Sequence, residues 1–163
     1  MGDRLQGRVA VVTGGAGGIG SVICRKLAEA GLSVVVGYGR SAEAARQLAE
    51  SLPGSGHSAR LAPVTDSAAM KALAESVARD YGRCDVLVNC AGTTRFVAHS
   101  DLDGLDDDLI NTILATNVRG AFASVRAFRP LLDKSTIPGG GVIVNLSSAA
   151  GNIGIGSNVM YCA

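Results

Sequence analysis

The stretch Arg8-Val-Ala-Val-Val-Thr-Gly-Gly-Ala-Gly-Gly-Ile-Gly20 sets a short β-branched apolar run directly before five glycines in seven residues, then opens an amphipathic helical pattern. This order restricts the fold more than any other feature. A buried strand delivers the chain to a tight turn where absent side chains let backbone N–H groups approach an anion, and the helix that follows points its positive end at the same place. A glycine turn between strand and helix can also serve only to bring the helix close to the sheet. The rest of the sequence must decide between these.

The hydrophobic period alternates along the whole chain. Strand-like runs lie at Arg8 to Val12, Ser33 to Val36, Ala59 to Val64, Cys84 to Asn89 and Gly141 to Leu146. Helix-like stretches lie between them at Gly18 to Ala30, Ala42 to Leu52, Ser67 to Tyr81 and Asp106 to Leu132. Gly31, Pro53-Gly54-Ser55-Gly56 and Pro138-Gly139-Gly140-Gly141 punctuate them. Strand and helix repeated in this way predict right-handed crossovers and an α/β, doubly wound parallel sheet of Rossmann type. The expected strand order is 3-2-1-4-5, with ligands outside the carboxyl ends of the strands. At 163 residues the chain reads as one domain, 1–163. With 47% apolar and only 4% aromatic residues, its core must be aliphatic.

Charge excludes several classes of partner. Fifteen basic against fourteen acidic residues give a net charge of +1, and neither sign dominates a long segment, so nucleic acid and anionic membrane are not expected partners. No apolar run approaches a bilayer span and the N-terminus has no signal-peptide core. Met1-Gly2 invites a myristoylation reading, but Gln6 stands where that motif needs Ser or Thr. A cytoplasmic protein is expected. Cys24, Cys84, Cys90 and Cys162 have no CxxC spacing and no clustered histidine, so they read as reduced core or cleft thiols and no metal site is expected. The acidic run Asp101 to Asp108 reads as a solvated helix start.

Three further motifs sharpen the picture. Asp85-Val-Leu-Val-Asn-Cys-Ala-Gly92 ends the fourth strand, Thr116-Asn-Val-Arg-Gly120 lies in the long helix, and Val142-Ile-Val-Asn-Leu-Ser-Ser148 ends the fifth strand, with Tyr161 thirteen residues on. Together with Thr13-Gly-Gly-Ala-Gly-Gly-Ile-Gly20 they resemble the short-chain dehydrogenase/reductase family, in particular members similar to 3-oxoacyl-carrier-protein reductases. The resemblance covers essentially the whole chain. It implies that Gly14, Gly17, Gly18 and Gly20 shape a pyrophosphate turn with Ile19 on the nicotinamide side, and that Asn89, Ala91 and Gly92 line the adenine ribose. It implies Asn117 as the helix residue holding a water in a proton relay, Ser148 as the hydroxyl that meets the substrate oxygen, and Tyr161 as the acid/base. The residue types suit the chemistry. Hydride transfer to a carbonyl carbon requires a proton for the oxygen, and a phenol beside a serine hydroxyl can give or take it.

Departures from the family pattern refine these expectations. The second strand ends Val36-Gly37-Tyr38-Gly39-Arg40-Ser41, without the acidic residue that grips a ribose 2′-hydroxyl, whereas Arg40 suits a 2′-phosphate. NADP is therefore expected over NAD, with Tyr38, Arg40 and Ser41 in its site. Pro63 stands where the family places an aspartate against adenine, leaving backbone contacts at Val64, and Cys90 replaces the second Asn of the usual turn. The family's lysine four residues beyond Tyr161 falls past Ala163. The expectation is thus the N-terminal two thirds of a reductase acting on a small carbonyl or alcohol substrate, its full-length parent a homo-oligomer. Two alternatives stand beside it: an inactive dinucleotide-binding remnant, and a methyl-donor Rossmann domain that would not require the Ser148 and Tyr161 spacing.

Overall fold

A computed structural model describes residues 5–163, so the Met1-Gly2 reading lies outside the described residues. Five strands, β1 (Val9–Thr13), β2 (Ser33–Tyr38), β3 (Ser58–Leu61), β4 (Val86–Asn89) and β5 (Val142–Asn145), form one parallel sheet in the order β3-β2-β1-β4-β5. The order is the expected one. Val11 pairs with Val35 on one side and Leu87 on the other, so β1 runs through the middle.

Side chains alternate across this sheet with a period of two, which builds two separate apolar layers. Ala10, Val12, Val34, Val36, Val86 and Val88 face helices α1 (Gly18–Glu29) and α2 (Ala42–Ser51), with Cys24, Ala28, Ala45 and Leu48 filling that side. Val11, Val35 and Leu87 face α3 (Ser67–Tyr81) and α5 (Ala121–Leu132), against Met70, Leu73, Val77, Phe128 and Leu131. Both faces of β1 and β2 are covered, which explains their unbroken valine runs. The outer strand β5 is different. Val142, Ile143 and Val144 each keep about two fifths of their surface exposed.

Strand ends depart from the sequence reading by a few residues. The third strand stops at Leu61 because Ala62 N–H makes the last bond, to Tyr38 O at 2.7 Å, and Pro63 has no N–H to continue. The larger difference lies in the stretch read as one helix from Asp106 to Leu132. It comprises α4 (Asp107–Ile113), a wide π-helical turn from Leu114 to Gly120, and then α5. Gly120 is required there, since a Cβ would lie 2.8 Å from Val64 Cγ2. Two four-residue helices, α6 (Ala150–Ile153) and α7 (Val159–Cys162), complete the chain and were not legible as helices. No helix among the described residues is long and apolar enough to cross a membrane.

At the amino ends of the strands a polar knot closes the sheet. Asp85, fully buried, accepts Val9 N–H at 2.9 Å, two bonds from Arg83 at 2.8 and 2.9 Å, and the Ser135 hydroxyl at 2.6 Å. Burial pushes its carboxyl upward, but these donors outweigh that and hold it below the ordinary value. The carboxyl ends of the strands are left to form the site.

Candidate active site

Above those carboxyl ends opens a cleft of about 1490 Å³. Its first wall is the glycine turn. Gly14 has a positive φ of 65°, and a Cβ there would lie 2.8 Å from Ala91 Cα, so the turn after β1 and the turn after β4 touch backbone to backbone. A Cβ on Gly20 would lie 2.2 Å from Gly14 O, which seats the start of α1 directly on the turn. Gly18 is of another kind. Nothing in the protein lies within 4 Å of where its Cβ would stand, and it borders the cleft beside Gly17 and Ile19.

Helices α3 and α4 begin with a side-chain cap, whereas α1 does not, nor does α2 at Ser41. Asp66 caps α3 by accepting from Ala68 and Ala69 N–H, and Asp106 caps α4 by accepting from Leu109 N–H. The start of α1 has no side-chain cap and no acidic residue in its first turn. The N–H groups of Gly18, Ile19 and Gly20 consequently find no partner among the described residues. Such a helix end favours an anion.

The residues after β2 extend the same cleft: Tyr38, Arg40 and Ser41 border it, as does Val64 after β3. Arg40 is the single cationic side chain among the described residues of the lining, which include no Asp or Glu. Its guanidinium forms no ion pair among the described residues. Arg40 and the bare start of α1 both bring positive potential to the cleft.

The floor is polar. Thr13, only 1% exposed, accepts from Cys90 N–H at 3.2 Å and Ala91 N–H at 3.3 Å, holding the turn that presents Ala91 and Gly92. Asn89 donates to Asn145 Oδ1 at 2.8 Å across the β4–β5 pair, while its own Oδ1 is buried without a partner. Cys90 borders the cleft, and burial raises its thiol above the ordinary value. Cys24 and Cys84, deeper in the core, are pushed up to about 12 by burial. No group of three or more His, Cys, Asp or Glu residues placed to hold a metal occurs among the described residues.

The far wall carries the three hydroxyl and amide residues singled out from the sequence. Asn117, in the wide turn, accepts Thr93 N–H at 2.8 Å and donates to Thr93 O at 2.9 Å, so both ends of its amide are engaged. Ser148 Oγ accepts Ala150 N–H at 3.2 Å, which leaves its own proton free to donate. Tyr161 stands on α7 and borders the cleft with Ser148. Every residue predicted to bind or react lines this one space. Thr13, Asn145 and the Thr93 backbone were not predicted, although Thr13 and Asn145 stood inside the quoted motifs.

This geometry, a doubly wound sheet whose glycine turn, uncapped helix and hydroxyl wall share one cleft, defines a dinucleotide-binding class of α/β protein. The family profile described as short chain dehydrogenase matches residues 8–163, and the chain belongs to that family. It is 37% identical over 162 residues to D-threitol dehydrogenase of Mycolicibacterium smegmatis, covering 98% of this chain and 60% of that protein. It is 34% identical over 156 residues to a 3-oxoacyl-[acyl-carrier-protein] reductase of Staphylococcus aureus, covering 94% of this chain and 61% of that protein. The crystal structure of a 3-ketoacyl-(acyl-carrier-protein) reductase from Brucella melitensis complexed with NADH superposes with a TM-score of 0.86 at 26% identity, over 97% of this chain and 64% of that one. The chain thus spans about three fifths of the length of these curated relatives.

Proposed function

We propose that this chain is the cofactor-binding and catalytic part of an oxidoreductase that moves hydride between NADP(H) and a carbonyl or alcohol carbon of a small molecule. The observation that carries the reading is the single cleft shared by the bare start of α1, the Arg40 guanidinium and the Ser148 and Tyr161 hydroxyls. The relatives support the reaction class, since their names describe a dehydrogenase of a sugar alcohol and reductases of 3-oxoacyl groups.

The residues present fit a nicotinamide dinucleotide. Gly18, Ile19 and Gly20 would meet the pyrophosphate with unpartnered N–H groups beside Gly17, whose own N–H is held by Gly14 O, and the open space over Gly18 admits it without displacing protein atoms. Arg40, flanked by Tyr38 and Ser41, would pair with a 2′-phosphate. Asn89, Ala91, Gly92 and Val64 would line the adenosine half. When bound, the cofactor supplies the hydride.

The chain's own groups manage the proton. With its oxygen occupied by Ala150 N–H, Ser148 directs its hydroxyl proton to a substrate oxygen and orients it. Tyr161 gives the proton to that oxygen in reduction and takes it in oxidation. Asn117 spends its amide on Thr93, so a relay water would meet the backbone of the wide turn, where π-helical spacing displaces carbonyls from their usual partners. Leu114, Val118 and Phe122, exposed at four-residue intervals with the last two also bordering the cleft, are read as the face of a homo-oligomer of the whole protein.

Titration calorimetry with NADP⁺ and NAD⁺ tests the cofactor assignment. Arg40→Ser is expected to weaken NADP⁺ binding by about tenfold or more, the value of a charge-assisted bond, and to leave NAD⁺ within about twofold. Equal losses for both would remove the 2′-phosphate role. Turnover of an oxo-ester should vanish in Tyr161→Phe and fall by about a hundredfold or more in Ser148→Ala, with cofactor affinity retained.

A further inference from the structure

Tyr161 lies in α7, where no residue from Val159 to Cys162 is buried. The first turn of α7 is held by the residue before it. Asn158 is fully buried, and its amide reaches three separate groups. Oδ1 accepts Tyr161 N–H at 2.8 Å, capping α7, while Nδ2 donates to Arg95 O at 2.7 Å and to Thr94 Oγ1 at 3.2 Å.

The loop thus grasped is already anchored. Thr93, next in line, has both backbone groups tied to Asn117. Three consecutive residues, Thr93 to Arg95, therefore carry the bonds to Asn117 at one end and to Asn158 at the other. A second seam runs alongside, with Val97 N–H donating to Ser157 O at 2.9 Å and the Thr94 and Ser157 hydroxyls bonded to each other. Ser157 holds φ 53°, a conformation that L-residues keep only where neighbours impose it.

We propose that Asn158 is a positioning residue for Tyr161: it hangs the phenol and Asn117 from one short strut and so sets how the ring enters the cleft. The catalytic meaning of this placement rests on the reading of Tyr161 given above. A cap alone would need only an acceptor. The two donor bonds of a buried amide go to the loop instead, which is what couples the walls.

The test compares Asn158→Ala, Asn158→Ser and Tyr161→Phe in the full chain. Asn158→Ala is expected to lower kcat by roughly 10- to 100-fold, the scale of a sub-ångström to one-ångström misplacement, with the cofactor Kd and substrate KM changed less than about twofold. Asn158→Ser keeps a cap but no clamp, and should recover part of kcat. Fluorotyrosine labelling adds a readout independent of turnover: the resonance that Tyr161→Phe removes should shift in Asn158→Ala, while those of Tyr38 and Tyr81 stay. If Tyr161→Phe abolishes turnover but Asn158→Ala keeps full kcat and an unmoved resonance, the positioning role is overturned and the function stands. If Tyr161→Phe retains turnover, the acid/base reading falls, and the fluorotyrosine shift alone decides whether Asn158 sets the ring. Equal loss of kcat and of cofactor affinity in Asn158→Ala would mark a merely structural residue and overturn the proposal.

Discussion

Asp85 and Asn89 stand at opposite ends of one short strand, and they show what the two ends of this sheet are for. Asp85 is a buried charge with every oxygen supplied by donors from Val9, Arg83 and Ser135. Asn89 is a buried neutral amide with one bond to Asn145 and an oxygen left without a partner. At one end the carboxylate is saturated, although Arg8 Nε beside it is buried without a partner; at the other an amide oxygen is held open. The saturated end fixes β1, β4 and the segment before β5 to each other. The open end keeps bare N–H groups, one guanidinium and two hydroxyls, at the expense of stability that full pairing would have given.

The largest effect should come from breaking the saturated end. Asp85→Ala takes the carboxylate from Arg83, which keeps its bond to Thr136, and leaves Val9 N–H unbonded, and is expected to cost about 2–4 kcal/mol in urea unfolding through the lost charge-assisted bonds and the unsatisfied N–H. If the loss is under about 1 kcal/mol, the knot does not hold the sheet and the contrast fails.

The glycine turn allows a sharper division. Gly20→Ala places a methyl against Gly14 O and should destabilise the fold by about 1–3 kcal/mol. Gly18→Ala meets no protein atom, so stability should hold or rise slightly, as expected of alanine in a helix, while dinucleotide affinity falls by about tenfold. Parallel thermal melts and cofactor titrations of the two variants check this. Equal behaviour would show that the turn does not separate packing from binding.

Acid should act on the saturated end first. The Asp85 carboxyl is held below its ordinary value in the fold, so its stabilisation is complete above the unfolded value of about 3.9 and is lost as pH falls through the lower folded value. Urea midpoints should be level from pH 6 to 5 and drop below about pH 4, with a shallower drop in Asp85→Asn. The smallest effect concerns the thiols. Cys24 and Cys84, raised to about 12 and buried, should resist iodoacetamide in the native state at pH 8, while partly exposed Cys162 reacts first.

Much of the fold was legible because its cause is local. The valine runs of β1 and β2 announce strands covered on both faces, and Gly14 to Gly20 announce a turn followed by an uncapped helix. The cleft residues Ser148, Tyr161, Asn117 and Arg40 were found through spacing and family resemblance rather than through any one residue's chemistry. The break at Leu114 to Gly120 was invisible, because the apolar pattern of Asp106 to Leu132 suits one continuous helix. The wide turn coincides with two tertiary contacts, Gly120 against Val64 and Asn117 on Thr93, neither of which is local in sequence.

By itself, then, the amino-acid order determined the strand succession, the two aliphatic layers and the glycine turn before the first helix, since each follows from a repeat or a glycine within a few residues. Only the tertiary structure decided which amides would be spent and which left open: Asn117 on Thr93, Asn158 between Tyr161 and Arg95, and Asn89 on Asn145 with one oxygen free. An amide has the same donors and acceptors wherever it stands. What it does depends on which distant backbone groups the folded sheet brings within about 3 Å of it.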